Sequence, residues 1–321
     1  MNLHQCSDAF SELVELSADH FSFQRSHVEK DYWVCKILKE LAHSIFSERA
    51  YFKGGTSLSK GYGLINRFSE DLDIFVYSGN PASSKQSEKT LCRNVSHLII
   101  ENNREMYVEE LSKIGGDFRK LAFIYDTHYM SAGLKENLEV EIKCCTLGDK
   151  SMIYYPAQKC QIQPIITEYL QAVGQRDMII RFDLDNFDVQ TIDPKRTLCD
   201  KISRLTRLSY NNEYEMLIAK HIRDVYDIFC LLNTNAYQEF IQSDMFVDVM
   251  CCVTTEDGLQ SYQSISKAKI FAEPERTLKL PDVFRAYNVE LKKLLFVPEA
   301  LPSLDEIILK FTSFFPNAVL Y

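Results

Sequence analysis

The chain has 321 residues, of which 46% are hydrophobic and 25% charged, and its net charge is −9. That length is enough for a filled core and two domains, and the acidic balance excludes a protein that coats nucleic acid through a broad basic face, though a local basic groove remains compatible with it. No stretch approaches the ~18 apolar residues of a spanning helix and the N-terminus lacks the basic and apolar regions of a signal peptide, so a cytoplasmic protein without membrane contact is expected.

The ten cysteines show no CxxC pair and no zinc spacing, and a chain of this size needs no covalent staples, so they read as reduced thiols. The adjacent pairs Cys144-Cys145 and Cys251-Cys252 are poorly placed for disulfide geometry. The scattered histidines carry no metal pattern.

In chain order, residues 8–46 show helical periodicity, with Phe10, Leu13, Val14 and Leu16, then Val28, Tyr32, Val34, Leu38 and Leu41, which predicts two helices. Trp33 reads as a core residue. Ala50 to Phe52 predicts a short strand ending at Lys53. Gly54-Gly55 then allows a sharp turn, and Thr56 and Ser57 are placed to cap a helix running through Leu58 and Leu64, with Lys60 on it. Free backbone N–H groups and hydroxyls facing one spot are how a helix start receives phosphate.

Asp71 to Tyr77 alternates, with Leu72, Ile74 and Val76 on one face and Asp71, Asp73 and Phe75 on the other. The paired carboxylates repel one another unless a cation compensates, and can share a hard ion such as Mg²⁺ through oxygen ligands. Arg67 is the nearest compensating side chain in sequence. Residues 79–86 predict a loop and 87–114 a helix, with Lys85, Lys89 and Arg93 as a solvated basic face. Leu121 to Tyr125 and Leu138 to Cys145 predict strands. Glu139, Glu141 and Lys143 share one face of the second, and a third carboxylate there is what a two-metal phosphoryl-transfer site needs; Glu141 is preferred to Glu139.

Residues 146–192 read as a connector, with a helix near Ile165 to Val173 and a strand-like run from Met178 to Phe182, and the domain boundary is placed within it. Asp193-Pro194 is a helix start, and Lys201, Arg204 and Arg207 line one side of that helix. A further helix, about Glu213 to Leu232, carries His221, Arg223, Asp224 and Asp227. Residues 233–321 read as helical and loop-rich, with apolar runs at Phe246 to Val253, Leu291 to Val297 and Ile307 to Phe315.

The stretch FKGGTSLSKGYGLINRFSEDLDI, from Phe52 to Ile74, resembles the signature of the AbiEii/AbiGii toxin family of nucleotidyltransferases, within the DNA polymerase β-like superfamily. EKDYWV before it, and LEVEIKC, QPIITEYL, DPKRTLCDKISRL and HIRDVYDIFCLL after it, resemble later family blocks in order, so the likeness spans roughly residues 28–232. The resemblance implies an α+β fold: a small mixed or antiparallel nucleotidyltransferase sheet flanked by helices in residues 1–150, then a mainly α-helical C-terminal domain, 151–321, completing the active site. It implies that Gly54, Gly55, Thr56 and Ser57 hold the phosphates, with Lys60, Arg67, Ser69 and Arg204 as further nucleotide-binding residues. Asp71 and Asp73 match the metal ligands, Lys201 matches a triphosphate contact, and Asp224 or Asp227 matches the acidic residue of the last motif. Two departures stand out: Asp200 replaces the usual Glu before that lysine, and His221 and Arg223 are separated by Ile222.

The expected activity is therefore Mg²⁺-dependent transfer of NMP from an NTP to an acceptor hydroxyl, of a tRNA 3′ end or of a protein. The setting implied is the toxin of a toxin–antitoxin or phage-defence pair, with a cognate antitoxin protein as partner. The alternatives are a non-catalytic module that senses nucleotide or binds a partner, and a small-molecule nucleotidyltransferase of the antibiotic-modifying sort.

Overall fold

In the computed structural model the described residues are 2–80, 83–129, 134–144, 156–256 and 264–315; Cys145 and residues 146–155 of the expected connector lie outside them. By contacts the chain divides into two compact units: the described residues of Met1–Gly63, Phe68–Gly148 and Ala157–Thr191 form the first, those of Leu64–Arg67, Asp149–Pro156 and Ile192–Tyr321 the second.

The first unit is built on a seven-stranded sheet with β1 (Ala50–Lys53), β2 (Leu72–Val76), β3 (Lys113–Ile114), β4 (Phe118–Phe123), β5 (Leu138–Cys144), β6 (Ala157–Ile162) and β7 (Phe187–Ile192), in the order β3-β4-β5-β2-β1-β7-β6. It is mixed. β1 runs antiparallel to β2, β4 antiparallel to both β3 and β5, whereas β2 lies parallel to β5 and β1 to β7.

Period-two alternation gives the central strands two chemically distinct faces. Leu72, Ile74, Val76, Val140 and Ile142 are all buried, and helices α1 (Ser7–Phe21), α2 (Arg25–Ala42) and α3 (Lys85–Asn102) share a core with them. Burying each such aliphatic side chain stabilises the fold by roughly 1.5–3 kcal/mol. The other face carries Asp73, Glu139, Glu141 and Lys143.

Three local expectations give way to tertiary packing. The segment Arg176–Phe182 is a helix and not a strand. Ile179 and Phe182 bury three residues apart while Ile180 is 65% exposed, a helical spacing that overrides the β-branched composition. Helix α3 ends at Asn102 instead of running on towards 114, because the buried Asn103 turns the chain: its amide donates to the Ile99 carbonyl at 3.0 Å and to Glu40 at 2.9 Å. Thr56 and Ser57 do not cap a helix. Helical turns begin at Gly54 itself, directly after β1, and end at Gly61, short of Leu64.

The second unit opens on the helix Pro194–Ser209, where the Asp193 carboxylate accepts from the Lys195 N–H at 2.8 Å and Pro194 takes the first turn, as its sequence predicts. The single helix expected over 213–232 is two, Tyr214–Lys220 and Ile222–Leu232, with His221 between them in a non-helical conformation. Further helices include Asp244–Glu256 and Leu304–Phe314. Among the described residues no helix is long and apolar enough to cross a membrane.

Candidate active site

The turn after β1 is closed by close approach. Gly54 has φ +78°, and a Cβ placed there would lie 1.9 Å from Asp73 Oδ2. Lys53 is paired with Asp73 in the β1–β2 ladder, so the glycine lets the backbone pass directly over the carboxylate. The hydroxyls that follow are tied into the turn. Thr56 Oγ1 donates to Ser69 Oγ at 2.9 Å and to the Asp71 carbonyl, and Ser57 Oγ donates to the Gly54 carbonyl at 2.8 Å. Thr56 and Ser69 therefore couple the glycine turn to the start of β2, while Ser57 closes the turn on itself. Lys60 leaves this group, its ammonium held by Asp31 and by the Gln163 carbonyl at 3.2 Å.

On the acidic face Asp73 and Glu141 are register partners in the parallel β2–β5 pair, so their side chains leave the sheet on the same side from neighbouring strands. Two lysines serve this face. Lys135 Nζ lies 2.8 Å from Asp71 Oδ1 and also pairs with Glu139; Lys120 lies 2.7 Å from Glu139 and 3.8 Å from Glu141. Burial works against the Glu139 carboxylate, but Lys120 and Lys135 outweigh it and hold its pKa below the ordinary value. Burial likewise opposes the Lys135 ammonium, and Asp71 and Glu139 outweigh it, so its pKa is raised. Arg67, the compensating cation expected for the aspartates, forks instead onto Asp227 in the second unit.

Among the described residues, no three His, Cys, Asp or Glu side chains converge closely enough to hold a metal ion. The donor chemistry nevertheless suits a hard cation. Asp73 and Glu141 share one face and offer only carboxylate oxygens, and Asp71 and Glu139 are bridged by an ammonium, itself a cation between two carboxylates.

Sequence reading passed over what holds this face in place. Glu29, Lys30 and Asp31 are consecutive on α2, all buried, and each ties down a different segment. Glu29 accepts from Thr127 Oγ1 at 2.7 Å and the His128 N–H at 2.8 Å. Lys30 pairs with Glu70 at 2.8 Å, and Asp31 accepts from the Ile165 N–H at 2.9 Å besides holding Lys60. One signal was available. Successive helix residues are about 100° apart, so three adjacent charges next to Val28 and Tyr32 cannot all face solvent.

In the second unit, the helices Pro194–Ser209 and Ile222–Leu232 bring the family-implied residues into one buried cluster. Lys201 Nζ lies 2.7 Å from Asp224 and 2.8 Å from Asp227. Arg67, 2% exposed, reaches Asp227 with Nε at 2.7 Å and Nη2 at 2.6 Å, and Arg204 reaches Asp224 at 3.2 Å. Burial disfavours the Asp224 carboxylate, yet Lys201 and Arg204 hold its pKa down at about 2. Asp227, flanked by Arg67 and Lys201, is also lowered against its burial. His221 is pushed down, mainly by burial.

The sheet and its helices have the fold of nucleotidyltransferase toxins. The structure of MenT4, a nucleotidyltransferase toxin from Mycobacterium tuberculosis H37Rv, superposes with a TM-score of 0.58 at 14% identity, over 95% of this chain and 89% of that one. A second solved structure, described as a nucleotidyltransferase from H. pylori, gives a TM-score of 0.42 at 16% identity, over 90% of this chain and 92% of that one. No curated protein matches the chain. The family model described as "Nucleotidyl transferase AbiEii toxin, Type IV TA system" matches residues 36–308. The chain belongs to this AbiEii family of nucleotidyltransferase toxins.

Proposed function

We propose that the protein transfers NMP from an NTP to an acceptor hydroxyl, with Mg²⁺ as cofactor and as the toxin of a pair with a cognate antitoxin. The observation that carries this reading is the side-by-side placement of Asp73 and Glu141 on parallel strands, with the Gly54 backbone passing over Asp73. Asp71, Asp73 and Glu141 are the residues that would hold the metal. When bound, Mg²⁺ supplies charge neutralisation at phosphate oxygens and acidifies an attacking hydroxyl.

The chain's own residues do the rest. The Gly54–Ser57 turn presents backbone N–H groups to phosphate oxygens, and the Thr56 hydroxyl ties the turn to Ser69 and the Asp71 carbonyl. In the transfer the acceptor oxygen bonds to the α-phosphorus, the bond from that phosphorus to the β-bridging oxygen breaks, and pyrophosphate leaves. A carboxylate of the acidic face takes the hydroxyl proton. Lys201 is assigned to the triphosphate, with Asp224 and Asp227 orienting its ammonium. Phage defence and a cytoplasmic location accord with the family.

A tRNA 3′ end is the proposed acceptor, with a protein hydroxyl as the second possibility. The test incubates each α-labelled NTP with Mg²⁺ and whole-cell lysate, wild type beside Asp71→Ala. Label in nuclease-sensitive, protease-resistant material, absent with Asp71→Ala, is expected. Protease-sensitive label would move the acceptor to protein, and label resistant to both would favour a small molecule. Full transfer by Asp71→Ala would overturn the assignment of the acidic face, and no transfer from any NTP would favour a binding module.

A further inference from the structure

We infer that Lys30 and Glu70 form a positioning pair for Asp71, an assignment that rests on the reading of the acidic face just given. Both side chains are 1% exposed and their charged atoms lie 2.8 Å apart. Taking two charges out of water costs more than their attraction alone returns, and well-packed apolar residues of equal volume would hold a core as well. The pair therefore calls for a reason beyond stability, and its remaining hydrogen bonds supply one.

Glu70 immediately precedes Asp71. The same Glu70 oxygen that meets Lys30 also accepts from the Lys135 backbone N–H at 2.8 Å. Lys30 in turn donates to the Lys135 carbonyl at 2.5 Å and the Asn137 carbonyl at 3.1 Å. Two segments far apart in sequence, one entering β2 and the other entering β5, are thus knotted to one ammonium on α2. Lys135, whose backbone is fixed in this way, bridges Asp71 and Glu139 with its own side chain. The lead-in to β2 and the lead-in to β5 are consequently held at a set separation, and with them the carboxylates that each strand presents. Neither Lys30 nor Glu70 faces the acidic surface; each acts through Asp71 and Lys135.

The test uses the full chain. Lys30→Met alone strands a buried carboxylate and can simply fail to fold, so the informative variant is Lys30→Met with Glu70→Gln, which removes both charges together. Glu70→Gln alone serves as the milder form, because it keeps the ammonium on its two carbonyls. The first readout is amide hydrogen exchange. Peptides covering 69–73 and 134–139 are expected to exchange about tenfold faster in the double variant while the rest of the sheet keeps its protection. The second readout is NMP transfer, where kcat is expected to fall about a hundredfold, the cost of an ångström-scale misplacement, while the KM for NTP holds.

Unchanged exchange in both segments, or wild-type kcat in a folded double variant, would overturn the proposal and leave the pair a core element only. Wild-type protein that transfers no NMP would instead sink the reading of the acidic face, and the exchange experiment would still decide the pair.

Discussion

Gly54 is the residue whose replacement separates a steric requirement from a chemical one. Its φ of +78° costs any L-residue about 1–3 kcal/mol, and a Cβ would also collide with the Asp73 carboxylate. Gly54→Ala is expected to fold with lowered stability and to lose NMP transfer, because Asp73 or the turn must move. Thermal unfolding and label transfer measured together check this, and an active variant of unchanged Tm would show that the turn tolerates a methyl group. This residue and the Asp71/Asp73 pair were legible in the sequence, since a glycine pair and strict alternation are local signals. Lys135, Lys120 and Glu70 were not. Their roles depend on contacts between different segments, such as Lys135 with Asp71, Lys30 with Glu70 and Lys120 with Glu139, and no spacing rule reports those.

Among elements, the helices Pro194–Ser209 and Ile222–Leu232 make the clearest electrostatic forecast. Asp224, with a pKa of about 2 against an ordinary 3.8, contributes stability that is fully present above pH 3.8 and is lost as the pH falls through 2. A shift of that size corresponds to about 2 kcal/mol. Denaturant unfolding from pH 7 down to pH 2 should therefore show wild type losing about 2 kcal/mol more than Asp224→Asn, which has no such proton to bind. Parallel curves for the two proteins would mean the ion cluster contributes nothing to acid stability. The start of the first helix was legible because Asp-Pro is a local cap. The break at His221 was not, because a histidine carries no stop signal, and Met178 to Phe182 reads as a strand until Ile179 and Phe182 are seen to share the buried side of a helix.

Over the whole molecule, the α+β class and the family were legible from ordered blocks spread along the chain, and the family match over residues 36–308 agrees with them. The sheet, expected as mixed or antiparallel, is mixed; which strands run parallel was not legible, because nothing in β2 or β5 states that the two do. All nine described cysteines are free thiols. Burial pushes Cys92 up to about 11 and Cys230 up to about 12, and raises Cys35 and Cys199 as well. Native protein at pH 8 is expected to leave these four unalkylated by iodoacetamide and to expose them only in denaturant, as peptide mapping would report; rapid native labelling of Cys199 would show that its helix opens. Helix α2 carries a consequence of a different kind, concerning how the gene can drift in length. Because Glu29, Lys30 and Asp31 each anchor a separate segment from successive directions round one helix, an inserted or deleted codon upstream within α2 rotates all three away at once. A point change there unties one segment and leaves the other two anchored, whereas a shift in the register of that helix frees all three, so length variation in this chain belongs in its loops.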